Sequence, residues 1–172
     1  KSIFTSCKIK NIISDCISDI DILSERNFGD KPNIKVNCNE NLEINYLASH
    51  IYYIISEVLK NAVISHNKIN ILDEATINID ILDSNKELII KISDEGDSFE
   101  SNNLEKVFTY SYSTEKIHNQ EYIIGGFGFG LPLARIYSKY LGGNLLVNPK
   151  LNHGTEVFIY LNKELNLEER II

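Results

Sequence analysis

The sequence predicts an α+β fold, a two-layer α/β sandwich in which a mixed, mostly antiparallel sheet carries helices on one face. Three observations carry that prediction. Residues 9–23 and 51–63 repeat apolar side chains at helical spacing. ATINIDIL (75–82) and ELIIKIS (87–93) alternate apolar and polar residues on either side of the turn DSNK. A helical segment then precedes two further alternating runs, NLLV (144–147) and TEVFIYL (155–161).

In chain order, Ile9, Ile12, Ile13, Cys16, Ile17, Ile20 and Leu23 recur every three or four residues, which marks an amphipathic helix stopping near Gly29. IKVNC (34–38) and LEINY (42–46) alternate around an Asn-Glu-Asn turn, the pattern of two short strands paired with each other. The second helix carries the stripe Ile51, Ile54, Ile55, Val58, Leu59, Ala62 and Val63. Residues 75–93 read as an antiparallel hairpin. From 94 to 126 the chain is polar and dotted with aromatics, with one short helical stretch at NNLEKVF (102–108); loops this long inside compact domains are usually functional lids or disordered. Residues 131–141 read as a helix with Pro132 in its first turn and Gly142 and Gly143 at its end.

Length and composition bound the function. At 172 residues and 43% hydrophobic content, one compact domain over 1–172 is expected. Seventeen basic against 24 acidic residues give a net charge of −7, and no Lys/Arg run is present to neutralise a nucleic-acid backbone. No window approaches the roughly 20 apolar residues of a membrane span, and the opening KSIFTSCKIK lacks an apolar signal core. Cys7, Cys16 and Cys38 are odd in number and read as reduced, structural thiols. His50, His66, His118 and His153 are dispersed and form no metal-binding cluster. With no methionine anywhere, the sequence reads as an internal fragment of a longer polypeptide.

Three places could carry chemistry. Glu57 and Asn61, four apart, share one side of the second helix and flank its apolar stripe, where side chains can look into a cleft. A carboxylate there can orient or deprotonate a hydroxyl, and an amide oxygen one turn on can complete a magnesium shell; taken alone, a solvated Glu beside a tolerated Asn is the simpler reading. DEGDS (94–98) follows an apolar strand, placing Asp94 at a strand end with Gly96 allowing close approach; an ordinary strand-to-turn transition is the alternative. In GGFGFGLPLAR (125–135), Gly126, Gly128 and Gly130 precede a helix whose free amides could hold phosphates. Their spacing fits neither the dinucleotide nor the Walker motif, and a flexible turn is equally compatible.

The order of these elements narrows the choice. E-x-x-K-N-A on a helix, D-x-G at a strand end, a long lid, G-x-G-x-G-L at a helix start and Gly154-Thr155 before the last strand occur together. That series resembles the Bergerat-type ATP-binding fold shared by histidine kinases, type II topoisomerases, mismatch-repair ATPases, heat-shock chaperones and the mitochondrial protein kinases. Within it, HIYYIISEVLKNAVISH, LEKVFTYSYSTEK, GFGFGLPLARIYSKYLGG and HGTEVFIYL are similar to successive blocks of the C-terminal domain of the mitochondrial kinases, those acting on pyruvate dehydrogenase and on the branched-chain 2-oxoacid dehydrogenase. The resemblance covers about residues 7 to 162.

The resemblance implies an ATP-dependent serine kinase that inactivates the decarboxylase component of a mitochondrial 2-oxoacid dehydrogenase complex, pyruvate or branched-chain. It implies Glu57 as general base, Asn61 as Mg²⁺ ligand and Lys60 among the ATP contacts. Asp94 would bind the adenine amine, with Thr155 assisting through a water and Gly96 allowing close approach. Ser113 and Thr114 would contact the nucleotide beside a lid at about 97–127, and Gly126, Phe127, Gly128, Phe129, Gly130 and Leu131 would wrap the phosphates. It further implies ATP, Mg²⁺ and a monovalent cation such as K⁺ as cofactors, a helical-bundle domain preceding Lys1, a lipoyl-domain partner, a homodimer and a mitochondrial-matrix location. The chain departs from the family at Ile64, where an Arg is usual, at Ser98, the second glycine of the Asp motif, and in a slightly shorter lid. Two other readings share these motifs: the catalytic domain of a two-component histidine kinase, although the first 49 residues hold no His, and a nucleotide-binding module with weak catalysis.

Overall fold

A computed structural model of the chain describes residues 4–97, 130–150 and 153–164. Its elements run β1 (Thr5–Lys8), α1 (Ile9–Phe28), β2 (Asn33–Asn37), β3 (Glu43–Tyr46), α2 (Ala48–Lys68), β4 (Thr76–Asp83), β5 (Glu87–Ser93), α3 (Gly130–Tyr140), β6 (Asn144–Pro149) and β7 (Thr155–Asn162). The predicted helices form where the apolar spacing places them. Helix α1 buries Ile9, Ile12, Ile13, Cys16 and Ile20, and it stops at Gly29, whose left-handed conformation lets its N–H reach the Glu25 carbonyl at 3.0 Å. Helix α2 buries all seven residues of its predicted stripe.

Five strands form the main sheet in the order β2-β4-β5-β7-β6. Only β2 and β4 run parallel; the other three pairings are antiparallel. Register explains why the helices collect on one face. Ile79, Ile92 and Val157 are aligned across β4, β5 and β7, and so are Ile90, Ile159 and Leu145 across β5, β7 and β6. All six are buried, so these rows make one continuous apolar face. Helix α2 packs against β5 and α3, while α3 packs against β6 and β7. The predicted sandwich and the hairpin at 75–93 are therefore both present.

One pairing differs from the prediction. The strands read at 34–38 and 42–46 exist, but they do not pair with each other: β2 joins β4, and β3 joins β1 in a separate antiparallel pair. The turn between them explains the separation. Asn39 accepts the Leu42 N–H at its carbonyl and the Asn41 N–H at Oδ1, closing the turn locally. The Leu42 carbonyl then accepts the Ile9 N–H at 3.1 Å, which carries β3 to the start of α1 rather than back along β2. There Ile44 and Tyr46 are buried. Strand β1 itself went unpredicted because Cys7 is its one buried residue, too little for an alternation.

Burial of the thiols follows the same packing. Cys7 and Cys16 are buried, Cys38 is half-buried, and all three are unpaired. Desolvation pushes the Cys16 thiol up to about 11, against the pull of the Ser56 hydroxyl, so it is a protonated thiol at neutral pH.

On the opposite face of the sheet, Glu156 of β7 accepts from Lys91 Nζ at 2.8 Å and from Lys150 Nζ at 2.7 Å. These two hydrogen bonds hold its carboxyl down to about 2, outweighing desolvation. A depressed carboxyl contributes stability that is complete above its unfolded value near 4.5 and is lost as pH falls through about 2. Denaturant unfolding is therefore expected to show wild type above Glu156→Gln at pH 7, with the gap closing as pH falls from about 4.5 to 2. Truncating Ile90, fully buried in the middle of the sheet, is expected to cost about 2–5 kcal/mol as Ile90→Ala in the same assay.

Candidate active site

Between α2 and the ends of β5 and β7 lies an open recess. Val58, Ala62, Ile92, Leu131, Val147 and Val157 make its apolar walls; Asn61, Ser65, Asp94 and Thr155 supply the polar groups. Helix geometry sets the first two. Asn61 and Ser65 are four residues apart on α2, and Glu57 lies one turn before Asn61, so the three step along a single edge of the helix. That edge borders the buried stripe and is half-exposed.

At one end of the edge, Glu57 accepts an ion-pair hydrogen bond from Lys60. Lys60 is thus engaged with Glu57 and does not line the recess. The Glu57 carboxylate reaches the first residue of α3: a Cβ at Gly130 would overlap its Oε2. Glycine at 130 is what allows the carboxylate and the helix start to touch.

At the other end, Asp94 continues β5 beyond its last ladder residue. Its N–H donates to the Thr155 carbonyl at 3.0 Å, and its carbonyl accepts the Thr155 N–H at 3.2 Å. Gly154 makes that approach feasible, being left-handed (φ 85°) and so close that a Cβ would overlap the Asp94 carbonyl. The Asp94 carboxylate is largely desolvated. Burial pushes it up to about 6, while hydrogen bonds from the Gly96 and Thr155 backbone and the Ser65 hydroxyl pull it down. Above pH 7 it is mostly ionised, an acceptor set between apolar walls.

Gly96 allows a close approach, but the neighbour is not the one expected. A Cβ there would overlap Ser65 Oγ and lie 2.6 Å from the Ser65 carbonyl carbon and 2.8 Å from the His66 nitrogen. Gly96 therefore lets the 94–97 turn sit flush on α2. Ser65 fastens the turn by donating its hydroxyl to the Asp97 carbonyl at 2.6 Å, and the Asp97 N–H returns a bond to the Ser65 carbonyl at 3.3 Å.

Two neighbours of the recess were missed in the sequence. Ser65 had a signal, since it continues the Glu57–Asn61 spacing by another four residues. His66 had none: its Nε2 accepts the Glu95 N–H at 3.0 Å, a partner 29 residues away in sequence. His50, near the start of α2, is half-buried beneath α3. Its ring stacks on Tyr137 with centroids 4.7 Å apart, Tyr53 meets Tyr137 edge-on, and burial lowers the imidazole's pKa. Ser113, Thr114, Gly126, Phe127, Gly128 and Phe129, with Ser98 and nearly all of the predicted lid, lie outside the described residues.

A family model matches residues 47–165, a span that contains α2, the recess and everything up to the end of β7: histidine kinase-, DNA gyrase B- and HSP90-like ATPase. The chain belongs to that ATPase family. Its five-stranded sheet with helices on one face agrees with the family's Bergerat fold. Among curated proteins, this ATPase-family chain is 30% identical to a mitochondrial pyruvate dehydrogenase (acetyl-transferring) kinase of Schizosaccharomyces pombe, covering 94% of the chain and 42% of that protein. It is 26% identical to the Arabidopsis thaliana enzyme of the same name, over 80% of the chain and 41% of that protein. To the human isozyme 4 it is 27% identical over 93% of the chain and 42% of that protein. The chain thus spans about two fifths of the length of these relatives.

The flush contact at Gly96 generates a test. Gly96→Ala is expected to destabilise the protein by about 1–3 kcal/mol, because the added methyl meets helix backbone that cannot rotate away. Denaturant unfolding measures the loss, and unchanged stability would show that the turn does not rest on α2.

Proposed function

We propose that the recess binds Mg-ATP and that the protein is an ATP-dependent protein kinase of the pyruvate dehydrogenase kinase type. One observation carries this reading: Asn61 and Asp94, brought from elements more than 30 residues apart, face the same apolar recess, with Thr155 locked to Asp94 at its rim. Asp94 fits the exocyclic amine of adenine because an ionised acceptor between apolar walls makes a strong, base-discriminating bond. Thr155 assists it, and the walls cover the base.

Asn61 would hold Mg²⁺ through its amide oxygen. The described residues contain no cluster of three or more acidic, His or Cys side chains that could cage a metal. That suits Mg²⁺, which usually takes one or two protein ligands and completes its shell with phosphates and water. When bound, the ion neutralises charge on the phosphates during transfer. Glu57, one turn from Asn61 and against Gly130 at the start of α3, would orient a serine hydroxyl and accept its proton. Lys60 holds that carboxylate and stands within a turn of the phosphate end, while Gly130 and Leu131 open α3 toward it; Ser113, Thr114 and the loop 126–129 complete the nucleotide contacts in this reading.

The names of the relatives support a decarboxylase component of a mitochondrial 2-oxoacid dehydrogenase complex as substrate, and among these complexes they favour pyruvate dehydrogenase over the branched-chain enzyme. A matrix location, a lipoyl-domain partner, a homodimer and K⁺ as an additional cofactor belong to the same reading. So does the division of the chain into one nucleotide-binding domain following a helical bundle.

The direct test offers the full chain labelled ATP with the pyruvate and branched-chain decarboxylase components in parallel; label is expected in the pyruvate component. Glu57→Ala is expected to slow transfer about 10²–10⁴-fold. Unchanged transfer in that variant would remove the mechanism, and no transfer alongside a raised melting midpoint in Mg-ADP would reduce the reading to nucleotide binding. ADP affinity is expected to fall as pH drops through about 6, where Asp94 takes up a proton, and Asp94→Asn is expected to flatten that dependence.

A further inference from the structure

His66 is a polar side chain with no exposed surface, at the core-facing edge of α2. Such a group is retained at a cost unless its hydrogen bonding is used. Its Nε2 accepts the Glu95 N–H at 3.0 Å, so the neutral ring carries its proton on Nδ1, which finds no partner among the described residues. Burial keeps the imidazole's pKa below its ordinary value, with the Glu95 carboxylate acting weakly the other way, so the Nε2 lone pair is available at neutral pH.

The amide that His66 holds belongs to the peptide plane joining Asp94 to Glu95. The carbonyl of that same plane, Asp94 O, accepts the Thr155 N–H at 3.2 Å. One rigid peptide unit is therefore gripped at both ends, its N–H from the helical layer and its C=O from the sheet. With the plane fixed, the Gly96 N–H donates to Asp94 Oδ1 at 2.9 Å. A hydrocarbon of similar size at 66 would fill the space and still leave the Glu95 N–H without this acceptor.

We infer that His66 is a positioning residue for base recognition: through Nε2 it fixes the Asp94–Glu95 peptide, and thereby aims the Asp94 carboxylate at the exocyclic amine of a purine. The inference rests on the proposed assignment of Asp94 to the base. It separates His66 from a residue that merely fills the core, because only the former needs an acceptor at that atom.

The experiment titrates Mg-ADP and Mg-GDP into the full chain as wild type, His66→Leu and His66→Gln. Glutamine places an acceptor oxygen close to where Nε2 stands. His66→Leu is expected to bind ADP about tenfold more weakly and to lose preference for ADP over GDP. His66→Gln is expected to keep both within about twofold of wild type, whatever either change does to the melting temperature. Full ADP affinity and preference in His66→Leu would overturn the inference, as would equal losses in both variants. A wild type that does not prefer ADP to GDP would instead overturn the assignment of Asp94, and the inference with it, before any variant is compared. If His66→Leu does not fold, ¹⁵N NMR of the wild-type imidazole decides: Nε2 is expected unprotonated at neutral pH, and a proton found there overturns the proposal.

Discussion

Helix α2 has to bury one stripe and expose another, and the recess forms along the boundary between them. Its spacing of 3.6 residues per turn puts Ile51, Ile54, Ile55, Val58, Leu59, Ala62 and Val63 against the sheet and the neighbouring helices. Glu57, Asn61 and Ser65 then fall one turn apart along the edge of that stripe. The same burial that fastens the helix sets the height of these polar groups above the sheet. Rotating α2 by one residue, about 100°, would bury Glu57 or Asn61 and turn the recess into solid core. The site and the core are two consequences of one helical phase.

The second fixed point is the end of β5. Pairing with β7 extends past the last regular ladder residue through the reciprocal bonds between Asp94 and Thr155. The chain must then leave the sheet, and the 94–97 turn does so by lying on the C-terminal half of α2. Ser65, Gly96 and His66 make that docking tight. The sheet end and the helix edge are thereby tied to each other through the Ser65 hydroxyl, the His66 ring and the backbone bond from the Asp97 N–H to the Ser65 carbonyl. An ionised carboxylate can be kept in a largely apolar recess because its placement is settled before any ligand arrives. Its raised pKa is the cost of that placement.

Much of this was legible in the sequence because periodicity reports burial directly. The stripes at 9–23 and 51–63, the alternation in the hairpin and the helix ending at Gly142 all appear where their spacing put them. Glu57 and Asn61 were legible as edge residues for the same reason, and Asp94 as a strand end followed by glycine. What failed was pairing. Strands at 34–38 and 42–46 look like partners when only alternation and a short turn are considered, and the partner of β3 was a four-residue strand with one buried side chain. Strand pairing is a choice among non-local alternatives, and local pattern carries no information about which is taken.

The sequence by itself determined every described helix and strand except β1, the fold class and the motif order that marks the ATPase family, since each is written in spacing along the chain. The tertiary structure alone decided which groups meet. It showed that Gly96 makes room for α2 and that Lys60 is held by Glu57 rather than lining the recess. It also showed that His50 is covered by Tyr137 and that His66 reaches the Glu95 amide. These contacts join residues on different elements, and their distances follow from how two layers pack, a quantity no local spacing encodes.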